Sequence, residues 1–369
     1  MNRLRLFHPE PVRKRLRIIP IFLPYHGCPH RCLYCAQHLQ TGMSSGTQTA
    51  SEGPTLEAIH AKMVQTLALL TTSGSKGLGI AFYGGTFTAL PVEWQERFLK
   101  TVQPHRAAGT ITHVRGSTRP DSIKANHLSW LRENGLDMVE LGIQSFEPEV
   151  LRQSRRGYEA ETAVQACLTV RKYGLELGVQ LMPGLPGSSI SGWFRDVDQT
   201  RALTPEAVRI YPCLVLRDTP LSQAHRAGSF RPWSLSRTIW AVSRALNSLW
   251  RQGIPVIRIG LAPEGTLTPA IQAGPWHPAL GHMAKSHALR AWLTQAMTAL
   301  PEAPHQICVP KRFTAEFWGH EREHARTWRR LGLAPSNVRS WERPYFLVAS
   351  LAAPPPEMIP VLPACRPTP

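Results

Sequence analysis

From about Arg17 to Val215, short apolar runs alternate with helical patterns of apolar and polar positions, the rhythm of repeated βα units around a parallel sheet. Six strands are predicted: Ile18–Leu23, Gly79–Tyr83, Ile111–Gly116, Met138–Leu141, Glu176–Leu181 and Ala207–Tyr211. Helices are predicted between them over Thr55–Leu70, Val92–Gln103, Lys124–Asn134, Glu161–Tyr173 and Ser189–Leu203, with Thr55 and Ser122 as caps. Ala163, Ala166, Cys167 and Val170 share one helical face, so Cys167 reads as core filling rather than as a ligand. Connections this short predict an α/β fold, a partial (β/α)6 TIM-like barrel or strongly curved sheet, with its site at the C-terminal ends of the strands.

Beyond Pro220 the rhythm changes. A long helix over Leu235–Arg251 and a strand over Val256–Gly260 precede a loop rich in Gly and Pro. A helix near His282–Leu300, a strand at Gln306–Val309, a charged helix near Phe313–Leu331 and a strand at Tyr345–Leu351 predict a small C-terminal α/β extension. The expected organisation is a basic N-terminal segment (1–16), a core barrel (17–220), a C-terminal substrate-binding or lid region (221–352) and a disordered Pro-rich tail (353–369) that contains Cys365.

Composition adds three constraints. No stretch of about 18 uncharged apolar residues is present, which argues against a membrane span, and the basic start lacks the apolar run of a secretory signal. Lys and Arg outnumber Asp and Glu by 42 to 25, a field that attracts polyanions such as RNA or simply solubilises the surface. Seven cysteines, three of them crowded into Cys28–Cys35, do not make a disulfide framework, and a reducing, cytoplasmic compartment is expected.

Cys28-Pro-His-Arg-Cys32-Leu-Tyr-Cys35 places three thiols in one loop after the first strand. A ferredoxin cubane takes four thiolates, and a structural zinc site closes with four ligands. Three thiolates on a [4Fe-4S] cluster leave one iron open, and an α-amino acid can chelate it through nitrogen and carboxylate. The rival reading is zinc, with His26, His30 or His38 as fourth ligand.

On this Cys-x3-Cys-x2-Cys motif and those after the later strands, the chain resembles the radical S-adenosylmethionine (SAM) superfamily over about Arg17 to Gly281. Within it, the likeness is to proteins like the catalytic subunit of Elongator and, more distantly, to oxygen-independent coproporphyrinogen oxidase. The resemblance implies a partial (β/α)6 radical SAM barrel with a [4Fe-4S] cluster on Cys28, Cys32 and Cys35, and S-adenosyl-L-methionine as cofactor. It further implies that Gly84, Gly85 and Thr86 present backbone to the amino group of S-adenosylmethionine, and that Arg119, Asp121, Gln144 and Arg156 contact its ribose or carboxylate. Gln180, Met182, the Gly184–Gly187 segment and Tyr211 would lie near the adenine or at a strand end, and Tyr34 would wall the cluster. Trp276 and His277 would face substrate or anchor a loop.

Two departures stand out. Tyr158 occupies a place where relatives usually have histidine, and no glycine-rich CoA loop follows residue 281. The expected function is reductive cleavage of S-adenosylmethionine to a 5′-deoxyadenosyl radical that abstracts hydrogen in tRNA or RNA base modification, fed by an electron donor such as flavodoxin or ferredoxin. Radical chemistry on a small acidic, tetrapyrrole-like molecule and a non-catalytic, metal-dependent RNA-binding module are the alternatives.

Overall fold

The computed structural model describes residues 3–12, 16–40, 54–263 and 265–350, in two units: Glu10–Lys285, and Met1–Pro9 with Ser286–Pro369. The expected tail lies outside the described residues. None of the described helices is long and apolar enough to cross a membrane.

In chain order the strands are β1 (Arg3–Phe7), β2 (Ile18–Leu23), β3 (Leu78–Gly84), β4 (Ile111–Thr118), β5 (Met138–Gln144), β6 (Glu176–Leu181), β7 (Ala207–Ile210), β8 (Val215–Leu216), β9 (Val256–Ile259), β10 (Ile271–Ala273), β11 (Gln306–Pro310), β12 (Val338–Trp341) and β13 (Tyr345–Ala349). The helices are α1 (Gln37–Gln40), α2 (Leu56–Thr72), α3 (Val92–Ala107), α4 (Ala125–Glu133), α5 (Pro148–Gln153), α6 (Ala160–Lys172), α7 (Ile190–Leu203), α8 (Pro220–Arg226), α9 (Leu235–Trp250), α10 (Leu280–Thr298), α11 (Thr314–Trp318) and α12 (Ala325–Arg330).

The larger unit is built on a curled parallel sheet of seven strands in the order β2-β3-β4-β5-β6-β7-β9. All six predicted strands are in it, in sequence order, because each is joined to the next by a crossover carrying at least one helix. The seventh corrects the expected six. Val256–Ile259 pairs in parallel with β7, so it belongs to the sheet and not to a region appended after residue 220. Strands buried on both faces read as nearly continuous apolar runs, as in Leu78-Gly-Ile-Ala-Phe82.

Two local features bear on the sheet's edge and its helices. Gly79 N donates to Arg17 O and Gly85 N donates to Leu23 O, so the odd-numbered residues of β2 turn their backbone groups toward β3. Pro20, which has no N–H, therefore falls in the row facing away. Thr55 caps α2 as expected, accepting from Ala58 N at 3.2 Å. Ser122 does not cap α4: it ends a short 3₁₀ turn, and Lys124 occupies the cap position.

The smaller unit has a sheet in the order β1-β13-β11-β12, with β12 parallel to β11 and the other pairs antiparallel. The basic N-terminal segment thus contributes a strand, Arg3 to Phe7 opposite Ala349 to Tyr345. The expected helix near Phe313–Leu331 is broken. Gly319 (φ 78°, ψ 175°) ends α11, and Glu321 and Arg322 have φ of 51° and 58°, outside the right-handed helical region. The break lets Trp328 stack on Phe317 with ring centroids 4.5 Å apart and donate from Nε1 to the Phe317 carbonyl at 2.9 Å.

Candidate active site at the ends of the parallel strands

The loop after β2 turns on Tyr25 (φ 61°) and Gly27 (φ 74°), then presents Cys28, Cys32 and Cys35 to a cavity of about 540 Å³. The Gly84-Gly85-Thr86 turn clasps this loop: Gly85 N donates to Leu23 O and Thr86 N to His26 O, each at 2.7 Å. A Cβ at Gly85 would overlap the His26 carbonyl, so glycine is required by the approach of the cysteine loop. Gly84 and Gly85 line the cavity. An ammonium can only donate, so any main-chain contact with an amino group falls to carbonyl oxygens. Thr86 is buried and reaches Cys28 Sγ through its hydroxyl at 3.2 Å.

Two guanidiniums converge on Cys32. Arg156, 4 % exposed, donates from Nη1 to Cys32 Sγ at 3.0 Å and to the Tyr34 hydroxyl at 3.2 Å. Its Nε and Nη2 reach the Tyr158 hydroxyl, which itself donates to Ile143 O at 2.9 Å. Arg119 Nη1 lies 3.7 Å from the same sulfur, while Asp121 holds the rest of the guanidinium in a two-pronged pair at 2.7 and 2.9 Å. Arg119 Nη2 also donates to Arg156 O, which ties the end of β4 and the connection between α5 and α6 to one sulfur.

Burial pushes the Cys35 thiol up to about 12, with the neighbouring Cys32 and Cys28 sulfurs adding to it. Crowded thiols of this kind ionise only against concentrated positive charge, which a metal centre supplies and the two arginines supplement. The residues fit an iron–sulfur cluster better than a single zinc ion. His26, His30 and His38 each use one ring nitrogen, on Pro54 O, Arg155 O and the Tyr25 hydroxyl respectively, so a metal could take only the other nitrogen of each ring. Among the described residues, the three sulfurs do not all lie within 4.8 Å of one another, alone or with a histidine, the closeness that ligands of one small ion need, whereas a cubane takes its thiolates on separate irons.

The strands beyond contribute alternate residues to the cavity wall: Arg115, Ser117 and Arg119 from β4 and its end, Gly142 and Gln144 from β5. Gln180 lies near the end of β6, Met182 follows that strand, and Tyr211 follows β7. Gln180 Nε2 donates to Gln144 Oε1 at 3.2 Å. Gln144 has φ of 71°, a left-handed conformation that its surroundings must hold. The holding group is Asp196 of α7, whose buried carboxylate accepts from the Ser145 hydroxyl and, at 2.6 Å, from Phe146 N. Of the Gly184–Gly187 segment, Gly184 packs beside the Trp233 ring. Trp276 packs against the apolar cluster around Leu214 and Leu267, and His277 Nδ1 accepts from Ala279 N, which favours the loop-anchor role for both.

Asp196 carries a pH prediction. Burial raises its carboxyl from 3.8 to about 7, with Glu147 adding to the rise and Phe146 N, Ser145 and Arg195 opposing it. A carboxyl raised on folding contributes stability that is fully present below about pH 4 and lost as pH rises through about 7. Relative to Asp196→Asn, the natural chain is expected to lose up to about 4 kcal/mol across that window. Urea unfolding of both proteins from acid to mildly basic pH measures the difference.

Sequence reasoning missed a polar layer deeper in the sheet. Glu140 accepts from Arg115 Nη1 at 2.8 Å and pairs with Arg209 Nε at 3.0 Å, and Arg209 also donates to the hydroxyls of Tyr211 and Tyr83. Charged residues in the middle of otherwise apolar strands, as in Val114-Arg115-Gly116 or Val208-Arg209-Ile210, were the available signal.

A family profile described as the radical SAM superfamily matches residues 22–197, and one described as the radical SAM C-terminal domain matches residues 205–290. A Methanocaldococcus infernus tRNA uridine(34) acetyltransferase is 27% identical over 269 residues, covering 64% of this chain and 50% of that protein. Elongator complex protein 3 of Mus musculus is 26% identical over 279 residues, with the same two shares. The chain spans about half the length of these curated relatives. A solved archaeal Methanocaldococcus infernus Elp3 with an N-terminal deletion shares the fold at a TM-score of 0.56 and 21% identity, over 76% of this chain and 63% of that one.

Proposed function

From the premise that the chain belongs to the radical SAM superfamily and is a radical SAM enzyme, we propose that it modifies a base of tRNA. Cys28, Cys32 and Cys35 hold the [4Fe-4S] cluster. When bound, the reduced cluster and S-adenosyl-L-methionine supply a 5′-deoxyadenosyl radical that abstracts hydrogen from substrate.

The chain's own residues do the placing. Arg156 and Arg119 stabilise the Cys32 thiolate and bring positive charge to the cavity wall, suited to a carboxylate. The Gln144–Gln180 amide pair and Tyr211 offer polar partners to a ribose or adenine, and Tyr34 excludes water. The Glu140–Arg115–Arg209 layer closes the polar floor.

The observation that carries the reading is three cysteines lining one cavity with two guanidiniums converged on the sulfur of one of them. RNA as substrate is supported by the formal charge of +17 and by relatives whose names specify tRNA uridine or Elongator. A low-potential carrier such as flavodoxin or ferredoxin is the proposed reductant, and the cytoplasm, where tRNA and reduced thiols coexist, the proposed compartment. Radical chemistry on a small anionic molecule is the second reading, favoured by the cationic excess of Arg115 and Arg209 over Glu140 in the floor.

The test uses anaerobically reconstituted protein with S-adenosylmethionine and dithionite. Release of 5′-deoxyadenosine is expected, together with tRNA binding whose log affinity falls linearly with log salt, and a new nucleoside in digested tRNA by mass spectrometry. Release without tRNA binding would transfer the proposal to small molecules, and no release would end it.

A further inference from the structure

We propose that His287, Glu323 and His324 form a metal site in the smaller unit, for one divalent transition ion of the zinc type. Their ligand atoms all lie within 4.8 Å of one another. His287 comes from α10, and the other two from the turn that opens α12. His287 Nε2 is 3.1 Å from Glu323 Oε2, and the two imidazole rings meet edge to face with centroids 4.9 Å apart.

The broken helix builds this arrangement. Gly319, Glu321 and Arg322, all with positive φ, turn the chain after α11 so that two consecutive side chains reach α10. A Cβ at Gly319 would come within 2.7 Å of Glu323 Cγ and 3.0 Å of His324 Nε2, so the backbone packs directly on both ligands. His320 N donates to Glu323 Oε1 at 3.2 Å, which orients the carboxylate.

A hydrogen-bond count fixes the state of His324. Ser286 Oγ lies 2.6 Å from Glu316 O and 2.9 Å from His324 Nε2. The hydroxyl has a single hydrogen and the carbonyl can only accept, so that hydrogen goes to Glu316 O. Ser286 Oγ then accepts from His324 Nε2–H, so in the neutral ring Nδ1 alone keeps a lone pair and is the atom through which His324 would take a metal. Metal-binding histidines are oriented through their second ring nitrogen in this way.

Two imidazoles and one carboxylate are a donor set suited to zinc, with a fourth position left for solvent. Arg290, on the same helix as His287, places a positive charge near His324. With one carboxylate against one guanidinium, charge alone would not hold calcium or magnesium, and strong nitrogen donors are needed.

The test is a difference measurement on the full chain with its iron–sulfur cluster reconstituted, dialysed against zinc, with zinc and iron both quantified. The natural chain is expected to hold one zinc more than either His287→Ala or Glu323→Gln, with iron equal in all. Ser286→Ala should weaken zinc about 10–100-fold, as loss of an orienting partner does. Cobalt in place of zinc should give visible d–d bands without sulfur-to-cobalt charge transfer, lost in the same variants. Equal zinc in the natural chain and in Glu323→Gln, a substitution at an exposed position, would overturn the proposal, as would cobalt bands of thiolate character. Neither outcome depends on whether the barrel performs radical chemistry.

Discussion

A chain carrying Cys32→Ala is expected to hold no [4Fe-4S] cluster and to release no 5′-deoxyadenosine, while keeping its fold. Cys32 is the sulfur on which the site's charge converges, with Arg156 Nη1 at 3.0 Å and Arg119 Nη1 at 3.7 Å. Two remaining thiols cannot retain a cubane that already lacks a protein ligand on one iron. The fold should survive because the loop is fastened by its backbone, through Cys35 N to Cys32 O, Leu33 N to Ser154 O and Leu221 N to Leu33 O. Iron content and the product assay read the loss. Cys167→Ala is the matched control: that thiol is buried on the core face of α6, and its removal should leave iron unchanged. Retention of a full complement of iron by Cys32→Ala would refute the assignment of the three ligands.

Arg156→Met is expected to destabilise the protein by about 1–3 kcal/mol and to make cluster loading inefficient. Methionine fills similar volume but returns none of the donors. The hydroxyls of Tyr34 and Tyr158 and the Gly142 carbonyl would lose a charged partner in a buried setting. Tyr158→Phe provides a graded comparison. It removes one acceptor from Arg156 and one donor to Ile143 O, and should cost about 1–2 kcal/mol. Denaturant unfolding of the cluster-free proteins separates stability from loading. Equal stability of Arg156→Met and the natural chain would show that the guanidinium is dispensable to the local structure.

The strand reading reproduced the bounds of Ile18–Leu23 and Glu176–Leu181, and it was plainest where burial on both faces makes an apolar run nearly continuous, as in Leu78–Phe82. It found Val256–Gly260 as a strand but left it outside the barrel, because it follows α8 and α9 rather than one compact crossover. The helix expected over Phe313–Leu331 failed for a different reason. Its composition suits a helix, but Gly319 and the stacking of Trp328 on Phe317 are tertiary effects that local pattern does not encode. In the site, the three cysteines stood out by their spacing, while the glycines and arginines at strand ends were expected only from the resemblance; the structure puts them on the wall of one cavity. The Glu140–Arg115–Arg209 layer was not legible, since each charge stands alone within its strand and only the curvature of the sheet brings the three together.

Pro20 has a consequence for how the protein behaves in a crowded solution. A half-barrel ends in two strand margins that offer backbone groups to any passing β-segment, the commonest route from a folded sheet to a filament. At the β2 margin a proline removes a donor from the outward row, so an incoming strand would meet a gap in its ladder at that point. The ring can therefore stay unclosed with less risk of recruiting a stranger to complete it.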